Sequence, residues 1–448
     1  MNIKQLRQTI LGRAIRGQLV SQDPTDEPAS VLLERIRAEK EELIKEKKLK
    51  REKRDSQPIE EVPFEIPEGW VWCRLGDIAQ SNIGLTYSPN NVSINGTPVL
   101  RSNNIKDDKL LLNDLVRVSG DIQEKNYIKE GDILICARNG SRNLLGKSTI
   151  INNLEEPMTF GAFMAICRSL YNHWIFQTLR TDYFQRYLDF SNSTAINQIT
   201  QSMLLEFPIP LPPLKEQHRI VRKIEQLFAL VDIIEVNKKA LEKLIEQAKN
   251  QVLSDAVAGK LTHQDPNDEP AEELLKRIGK TTAPDTPYEK MLPKGWACTE
   301  MQVLCQLLDG KKKEGVLYPY LDVVFLRGKT EGSYKENGKY IPKNTHLILV
   351  DGENSGEIFT TTIEGYQGST LKILNISQEV NEQFIFYILR KEQKLFKESK
   401  TGSAIPHLNK KIFKELIIFL PPLAEQCRIV KKIETYFAAF DKIKNELI

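Results

Sequence analysis

The sequence predicts an α+β protein, mixed in its helix and strand content. Two globular inserts are separated by a long antiparallel pair of helices in a pseudo-two-fold, circular organisation. Two observations carry this reading: a long heptad seam in the middle of the chain, and two partial copies of that stretch, one at each terminus. The seam lies in Pro212–Gly259 and runs Ile220, Ile224, Leu227, Val231, Ile234, Leu241, Ile245, Ala248 and Val252, in steps of three and four interrupted where Lys238 takes a seam position. Such spacing is that of a long helix that needs a partner helix. Pro212 and Pro213 suit its start and Gly259 its end, so it spans roughly 45 residues and about 65 Å.

The partner is cut in two. PPLAEQCRIVKKIETYFAAFDKI repeats the first half of the seam helix, with Pro422 against Pro213, and its own seam runs Ile429, Ile433, Tyr436, Phe440, Ile443 and Leu447. At the N-terminus, Ile10–Ala29 (ILGRAIRGQLVSQDPTDEPA) repeats the second half, Val252–Ala271 (VLSDAVAGKLTHQDPNDEPA), with Ile3, Leu6, Ile10 and Ala14 in the seam. By these offsets the chain stops opposite Lys239 and starts opposite Lys243, so the termini form one split copy of the central helix and Met1 is expected near Ile448.

The resulting segments are 1–28, the N-terminal half of the split helix; 29–65, a helix and basic linker; 66–211, the first insert; 212–262, the central helix; 263–291, a linker; 292–420, the second insert; and 421–448, the C-terminal half of the split helix. Ala29–Asp55 reads as a helix whose tail, KEKKLKREKRD, is a solvated linker or, alternatively, a phosphate-contacting arm. Each insert opens with Pro-x-Gly-Trp, at Trp70 and at Trp296, where the indole anchors a core. Strands are expected at Asp132–Ala137, Ser148–Asn152, Gly161–Cys167, His346–Val350 and Thr370–Leu374, and one amphipathic helix per insert at His173–Leu188 and Glu382–Glu398. Polar loops at Asn192–Thr200 and Gly402–Lys410 lead back to the helices. Between these frames few side chains match, which suits two domains of one fold that read two different things.

Composition excludes several classes. The 448 residues carry 27% charged and 40% hydrophobic residues, as soluble globular chains do. No apolar run approaches a membrane span and the N-terminus is charged and amphipathic, so a cytoplasmic protein is expected. The six cysteines show no C-x-x-C pairing and read as buried reduced thiols, not as zinc ligands or disulfides. A net charge of +3 means that any phosphate contacts come from local patches. Gly140–Ser148 (GSRNLLGKS) has five residues between its glycines where a phosphate-cradling P-loop needs four. There is no N-P-P-[FY], D-P-P-[YW] or G-x-G-x-x-G run, and the five histidines lie far apart. No catalytic, metal or cofactor constellation is found, so a binding protein without an activity or cofactor of its own is expected.

The Pro-x-Gly-Trp openings, the LPPLxEQxRIVxKIE helix starts, the Gly-Gln-Leu and Gly-Lys-Leu helix ends and the QDPxDEPA segments together resemble the specificity subunit of type I restriction-modification systems, over essentially the whole chain. The resemblance implies that each insert is a target recognition domain reading one half of a bipartite, asymmetric site in double-stranded DNA. It further implies that the helices set the spacer and dock two DNA methyltransferase subunits, while separate restriction and translocase subunits act with them. A coiled-coil scaffold and a sequence-independent DNA-binding protein remain the alternatives.

Side-chain chemistry nominates the DNA-contacting residues, since Arg and Lys hold phosphates or guanine edges and Asn and Gln pair with adenine. In the first insert these are Arg101, Asn103, Arg138, Asn139, Ser141, Arg142, Asn143, Thr194, Asn197 and Gln198. In the second they are Lys311, Lys312, Lys313, Arg327, Lys329, Asn354, Ser355, Ser403, His407 and Asn409.

Overall fold

The computed structural model describes residues 2–46, 59, 62–191, 197–279, 292–402 and 406–446. The chain divides into two compact units, Met1–Asn237 and Lys238–Ile448. The central helix, Leu214–Val257, is continuous over 44 residues; its first half belongs to unit one and its second half to unit two. Each unit therefore holds the same parts in the same order: a half-helix of one type, a linker helix, an insert and a half-helix of the other type.

In unit one the N-terminal helix Ile3–Ala14 starts at Asn2, whose side chain accepts the Gln5 N–H. It runs antiparallel to the first half of the long helix, because Arg7 pairs with Asp232 and Glu235 while Gln22, further along, reaches Glu216. Ile10, Leu11, Ala14 and Ile15 are buried with Ile220, Ile224 and Val231 in one core. Unit two repeats the arrangement: Lys249 pairs with Asp441 and Gln264 bonds Glu425, so Leu423–Glu446 runs antiparallel to the second half of the long helix. Leu253 and Ala256 share its core with Ile429, Val430 and Ile433.

Both second-type halves end on a left-handed glycine, Gly17 (φ +66°) and Gly259 (φ +68°). A Cβ at Gly17 would stand 2.3 Å from Pro67 Cγ, and one at Gly259 2.6 Å from Pro293 Cγ. The two positions need glycine both for conformation and for close approach to the start of the insert.

Each insert is closed at its base by two antiparallel strands, Val71–Arg74 with Pro208–Leu211 in unit one and Ala297–Glu300 with Ile417–Leu420 in unit two. Above this lies a four-stranded sheet, in the order Gln80–Ile83, Met164–Arg168, Ile133–Cys136, Ser148–Ile150 in unit one. Its strands bury both faces. Ile133 and Ile135 meet Trp174, Ile175 and Leu179 of the covering helix, whereas Leu134 and Cys136 meet Leu100 and Phe160 on the other side. Unit two has the sheet order Cys305–Leu308, Leu371–Ile376, His346–Leu349, Ile358–Thr360, with Ile348 facing the helix core and Leu347 and Leu349 the opposite one. The second sheets differ. Unit one has three strands (Val116–Val118, Val92–Leu100, Thr159–Phe160), and unit two has five, from Lys311–Lys313 at one edge to Tyr334–Lys335 at the other.

A repeated polar anchor ties these layers together. The Trp70 indole N–H donates to Glu216 Oε2 at 3.0 Å, and Gln22 donates to the other carboxylate oxygen at 3.0 Å. In unit two Trp296 donates to Glu425 Oε2 at 2.9 Å while Gln264 and Thr262 donate to Oε1. Both carboxylates are buried. Beside them Arg219 pairs with Asp26 and Arg428 with Asp268, and those bonds hold each arginine still more firmly in its charged form.

Four expectations are corrected. Ile234, Tyr436 and Ile443 are exposed, although the strict heptad puts them in the seam. A straight helix of 3.6 residues per turn drifts about 20° per heptad, so the contact passes to Phe228 and Phe437 instead. Each insert helix is two: Asn172–Leu179 and Asp182–Ser191, broken where Thr181 bonds back to Thr178, and Glu382–Lys391 and Gln393–Glu398, broken at Glu392. The linker helix ends at Lys45, with most of the basic tail outside the described residues. Five cysteines are buried free thiols, Cys305 being pushed up to about 12 by burial, but Cys427 is exposed. Met1, Leu447 and Ile448 lie outside the described residues. Among the described residues no helix is long and apolar enough to cross a membrane.

Replacing Glu425 by Ala strands the indole, amide and hydroxyl donors at once and is expected to cost roughly 3–5 kcal/mol, with Glu425→Gln costing less. Ile224→Asp and Ile433→Asp each place an unpaired charge in a core and should cost several kcal/mol or yield no soluble protein. Chemical denaturation checks all four, and a wild-type midpoint for Glu425→Ala would remove the anchor from the account of stability.

Candidate nucleic-acid interface

In unit one the buried strand Ile133–Cys136 delivers the chain at Ala137 to an exposed loop that meets two other segments. Arg138 forms an antiparallel bridge with Gln198, and its guanidinium lies 5.3 Å from the ring centroid of Phe163, which is itself exposed. Asn139 Nδ2 reaches Ser102 Oγ at 3.5 Å, the Asn139 side chain accepts the Ser141 N–H, and Asn197 Nδ2 donates to the Gly140 carbonyl. Three segments far apart in sequence, around Arg101, Arg138 and Asn197, therefore converge. Asn103 and Asn143 are exposed. Arg101 is spoken for in part by Asp114 at 3.5 Å, and Arg142 by Asp189 at 2.8 Å. Asn104, next to the nominated Asn103, is buried and structural: it accepts the Arg101 N–H and donates to the Leu111 and Asp114 carbonyls.

Unit two presents a loop pair at the same place in the frame. After His346–Leu349, Asp351 bridges His407, and the His407 Nδ1 lies 2.7 Å from Asp351 Oδ1. Gly352 N–H donates to the Pro406 carbonyl and Lys400 Nζ to the Glu353 carbonyl. Asn354 and His407 are exposed. Ser355 is instead fully buried with an unpartnered hydroxyl, and Asn409 caps the helix Lys410–Lys414 by accepting the Lys411 and Ile412 N–H groups. Arg327 is paired with Glu357, while Lys329 is exposed. Lys311 and Lys312 are exposed on an edge strand of the separate five-stranded sheet. Lys313 donates to the Tyr318 hydroxyl at 2.8 Å and lies over the Tyr318 and Tyr340 rings. Thr194 and Ser403 lie outside the described residues.

Sequence reasoning missed Phe163 and Asp351. Phe163 stands in an otherwise buried run and reads as core, and an acidic residue is not sought at a DNA surface. Only the contacts with Arg138, whose guanidinium faces the Phe163 ring and whose N–H donates to the Phe163 carbonyl, and the bridge between Asp351 and His407 reveal that these two residues sit beside the nominated ones.

Two copies of one frame, presenting guanidinium and amide groups in one copy and carboxylate, imidazole and amide groups at the same place in the other, define a recognition protein. The chain belongs to the type I restriction modification DNA specificity domain family, whose model matches residues 67–243 and 305–448. It is similar to the specificity subunit of the type I restriction enzyme EcoAI of Escherichia coli, with 27% identity over 99% of this chain and 90% of that one. The EcoKI specificity subunit of Escherichia coli strain K12 is 25% identical over 85% of each chain. A solved chain described under the complex assembly and conformational transition of the type I R-M system has a TM-score of 0.61 at 19% identity, over 86% of this chain and 96% of that one, a likeness of fold. DNA sequence recognition as a specificity subunit is thus this chain's role.

Removing the Asn409 cap by Asn409→Ala is expected to cost about 1 kcal/mol, whereas Arg138→Ala and Asn143→Ala should leave the melting temperature unchanged. Thermal melts of the three variants separate the structural residue from the exposed ones.

Proposed function

We propose that the two units read the two halves of a bipartite, asymmetric site in double-stranded DNA, unit one through Arg138, Asn139, Asn143, Asn197 and Gln198 and unit two through Asn354, His407 and Lys329. The observation that carries this is the repeated frame with unlike loops: the same strand end and the same bridge hold Arg138 against Gln198 in one unit and Asp351 against His407 in the other. Arginine and asparagine offer bidentate pairing to guanine and adenine edges. Ser355, Asn409 and Arg142 are assigned lesser parts because each is buried, capping or ion-paired.

In this reading the long helix is the ruler between half-sites, and the paired helices dock two methyltransferase subunits, one on each unit. Exposed Leu230, Ile233 and Val236 on the long helix and Ile443 on the C-terminal helix support docking, since apolar side chains of this size favour a partner surface. Methyl transfer, ATP-driven translocation and cleavage fall to the partner subunits, and the complex works in the cytoplasm. Relatives named as specificity subunits support that division of labour.

Methylation mapping in cells carrying the partner subunits tests the proposal. Exchanging residues 70–205 for the corresponding insert of a relative should change one half of the methylated sequence and leave the other. Seven residues added near Lys238 and in the matching place on the partner should preserve the seam, lengthen the helix pair by roughly 10 Å, about three base pairs, and widen the spacer without rewriting either half. An exchange that alters both halves, or an insertion that rewrites half-site bases, would overturn modular reading. Sequence-independent binding would show as no defined methylated site at all.

A further inference from the structure

The two units differ sharply at one place where their frames correspond. In unit one the end of the insert helix Asn172–Leu179 is sealed against the N-terminal helix. Gln8 Nε2 donates to the Arg180 carbonyl at 2.9 Å, and the Asp182 N–H donates to Gln8 Oε1 at 2.9 Å. The Arg180 guanidinium is neutralised by Asp108, bonded to Gln177, and set over the rings of Phe176 and Phe228. Arg7 lies over the same Phe228 ring and is paired with Asp232 and Glu235. Every cation named here is matched within the unit.

The repeat offsets put Phe437 in the place of Phe228, Lys249 in that of Arg7 and Asn250 in that of Gln8, and the Leu-Arg shared by the ends of the two insert helices puts Arg390 in the place of Arg180. Asn250 is one methylene shorter than glutamine and its side chain makes no hydrogen bond among the described residues. Instead of a sealed contact there is an open cleft of about 360 Å³, lined by Lys249, Asn250, Arg390, Lys391, Lys394 and Lys397 beside Phe437, with Glu246 the one carboxylate in its wall. Lys249 still pairs with Asp441, Lys391 with Glu392 and, at 3.7 Å, Lys394 with Glu398. Arg390 and Lys397 have no ion pair among the described residues. Asp108, which neutralises Arg180, lies in the turn between the paired strands Ile105–Lys106 and Lys109–Leu110 of the first insert.

The cleft continues into a basic stretch. Lys391 closes the insert helix Glu382–Lys391, Lys394 and Lys397 lie three apart on the short helix Gln393–Glu398, a spacing that keeps those two adjacent on its surface, and Lys400 follows just beyond its end. At the far end Lys400 bonds the carbonyl and carboxylate of Glu353, in the loop that carries Asn354. The stretch thus leads from the candidate base-reading loop to the long helix. Unit one has TDYFQRYLDF over the corresponding stretch, Thr181–Phe190, with two aspartates against one arginine.

We infer that Arg390, Lys394 and Lys397, with Lys391 lining the same cleft, form a phosphate clamp on the DNA flanking the half-site of unit two, with no counterpart among the described residues of unit one. The inference rests on the DNA-reading role proposed above. A basic stretch of flexible side chains, continuous with a loop of polar side chains, matches a polyanion that runs past the unit; an acidic protein surface would call for more apolar contact than the one half-buried ring of Phe437.

The test uses the complex of this chain with its methyltransferase subunits and a duplex carrying the mapped site, with affinity measured across a salt series. The triple variant R390Q/K394Q/K397Q should lower the slope of log affinity against log salt by about three, one per charge removed. Its affinity should fall equally for the cognate duplex and for one scrambled in the unit-two half-site, while the methylated sequence stays the same. Arg390 and Lys394 are exposed and Lys397 is partly exposed, and a melting temperature equal to wild type confirms an intact fold. Cognate binding with an unchanged slope would overturn the clamp and leave the recognition reading standing. Wild-type complex that fails to prefer the cognate duplex would instead overturn that reading. Loss of the methyltransferase subunits from the triple variant on gel filtration would assign the cleft to a protein partner and likewise overturn the clamp.

Discussion

The structure depends on a buried carboxylate that accepts an indole N–H. Glu216 and Glu425 are almost without solvent exposure, and a buried carboxylate is tolerable only when donors replace the lost water. Trp70 and Trp296 have one polar atom each and direct it at these groups, and a glutamine from the QDPxDEPA segment takes the second oxygen. One interaction thereby joins the start of the insert, the start of one half-helix and the segment after the other. Removing any member leaves the others unpaired in a low-dielectric setting, so the three motifs act as one unit.

The repeated anchor explains how one chain can hold two unlike inserts. Because the insert is fixed at its base, by the two-stranded pair, the indole and the glycine at the helix end, its distal loops carry little responsibility for stability. Asn103, Asn354 and His407 are exposed there, whereas residues one or two positions away, Asn104, Ser355 and Asn409, are buried or capping. Exposed loop side chains on a rigid frame can change without loss of fold. The same separation accounts for the charge difference between the two insert helices, where unit one matches Arg180 and Arg7 internally and unit two leaves Arg390 and Lys397 without an ion pair among the described residues.

The candidate site was only partly legible. Arg138, Asn139, Ser141, Asn197 and Gln198 were nominated as separate clusters from side-chain chemistry, and the structure brings them together. Nothing in the sequence distinguishes Asn143 from Asn104, or Arg138 from Arg142, because free and structural residues of one type look alike until their partners are known. Asp189 and Glu357, the partners of Arg142 and Arg327, lie 47 and 30 residues away along the chain.

What the sequence by itself determined is the duplicated plan: the long helix, its split partner halves, the mixed inserts and their family, since repeats, apolar periodicity and paired motifs are local or self-referential signals. The tertiary structure decided which face of each helix is buried, moving the contact from Ile234 and Tyr436 to Phe228 and Phe437 because a helix of 3.6 residues per turn drifts off the heptad. It also decided which cations are free. Whether an arginine is matched, as Arg180 is by Asp108, or has no ion pair among the described residues, as Arg390 has none, depends on side chains brought close only by folding, and electrostatic pairing falls off over distances that sequence separation does not measure.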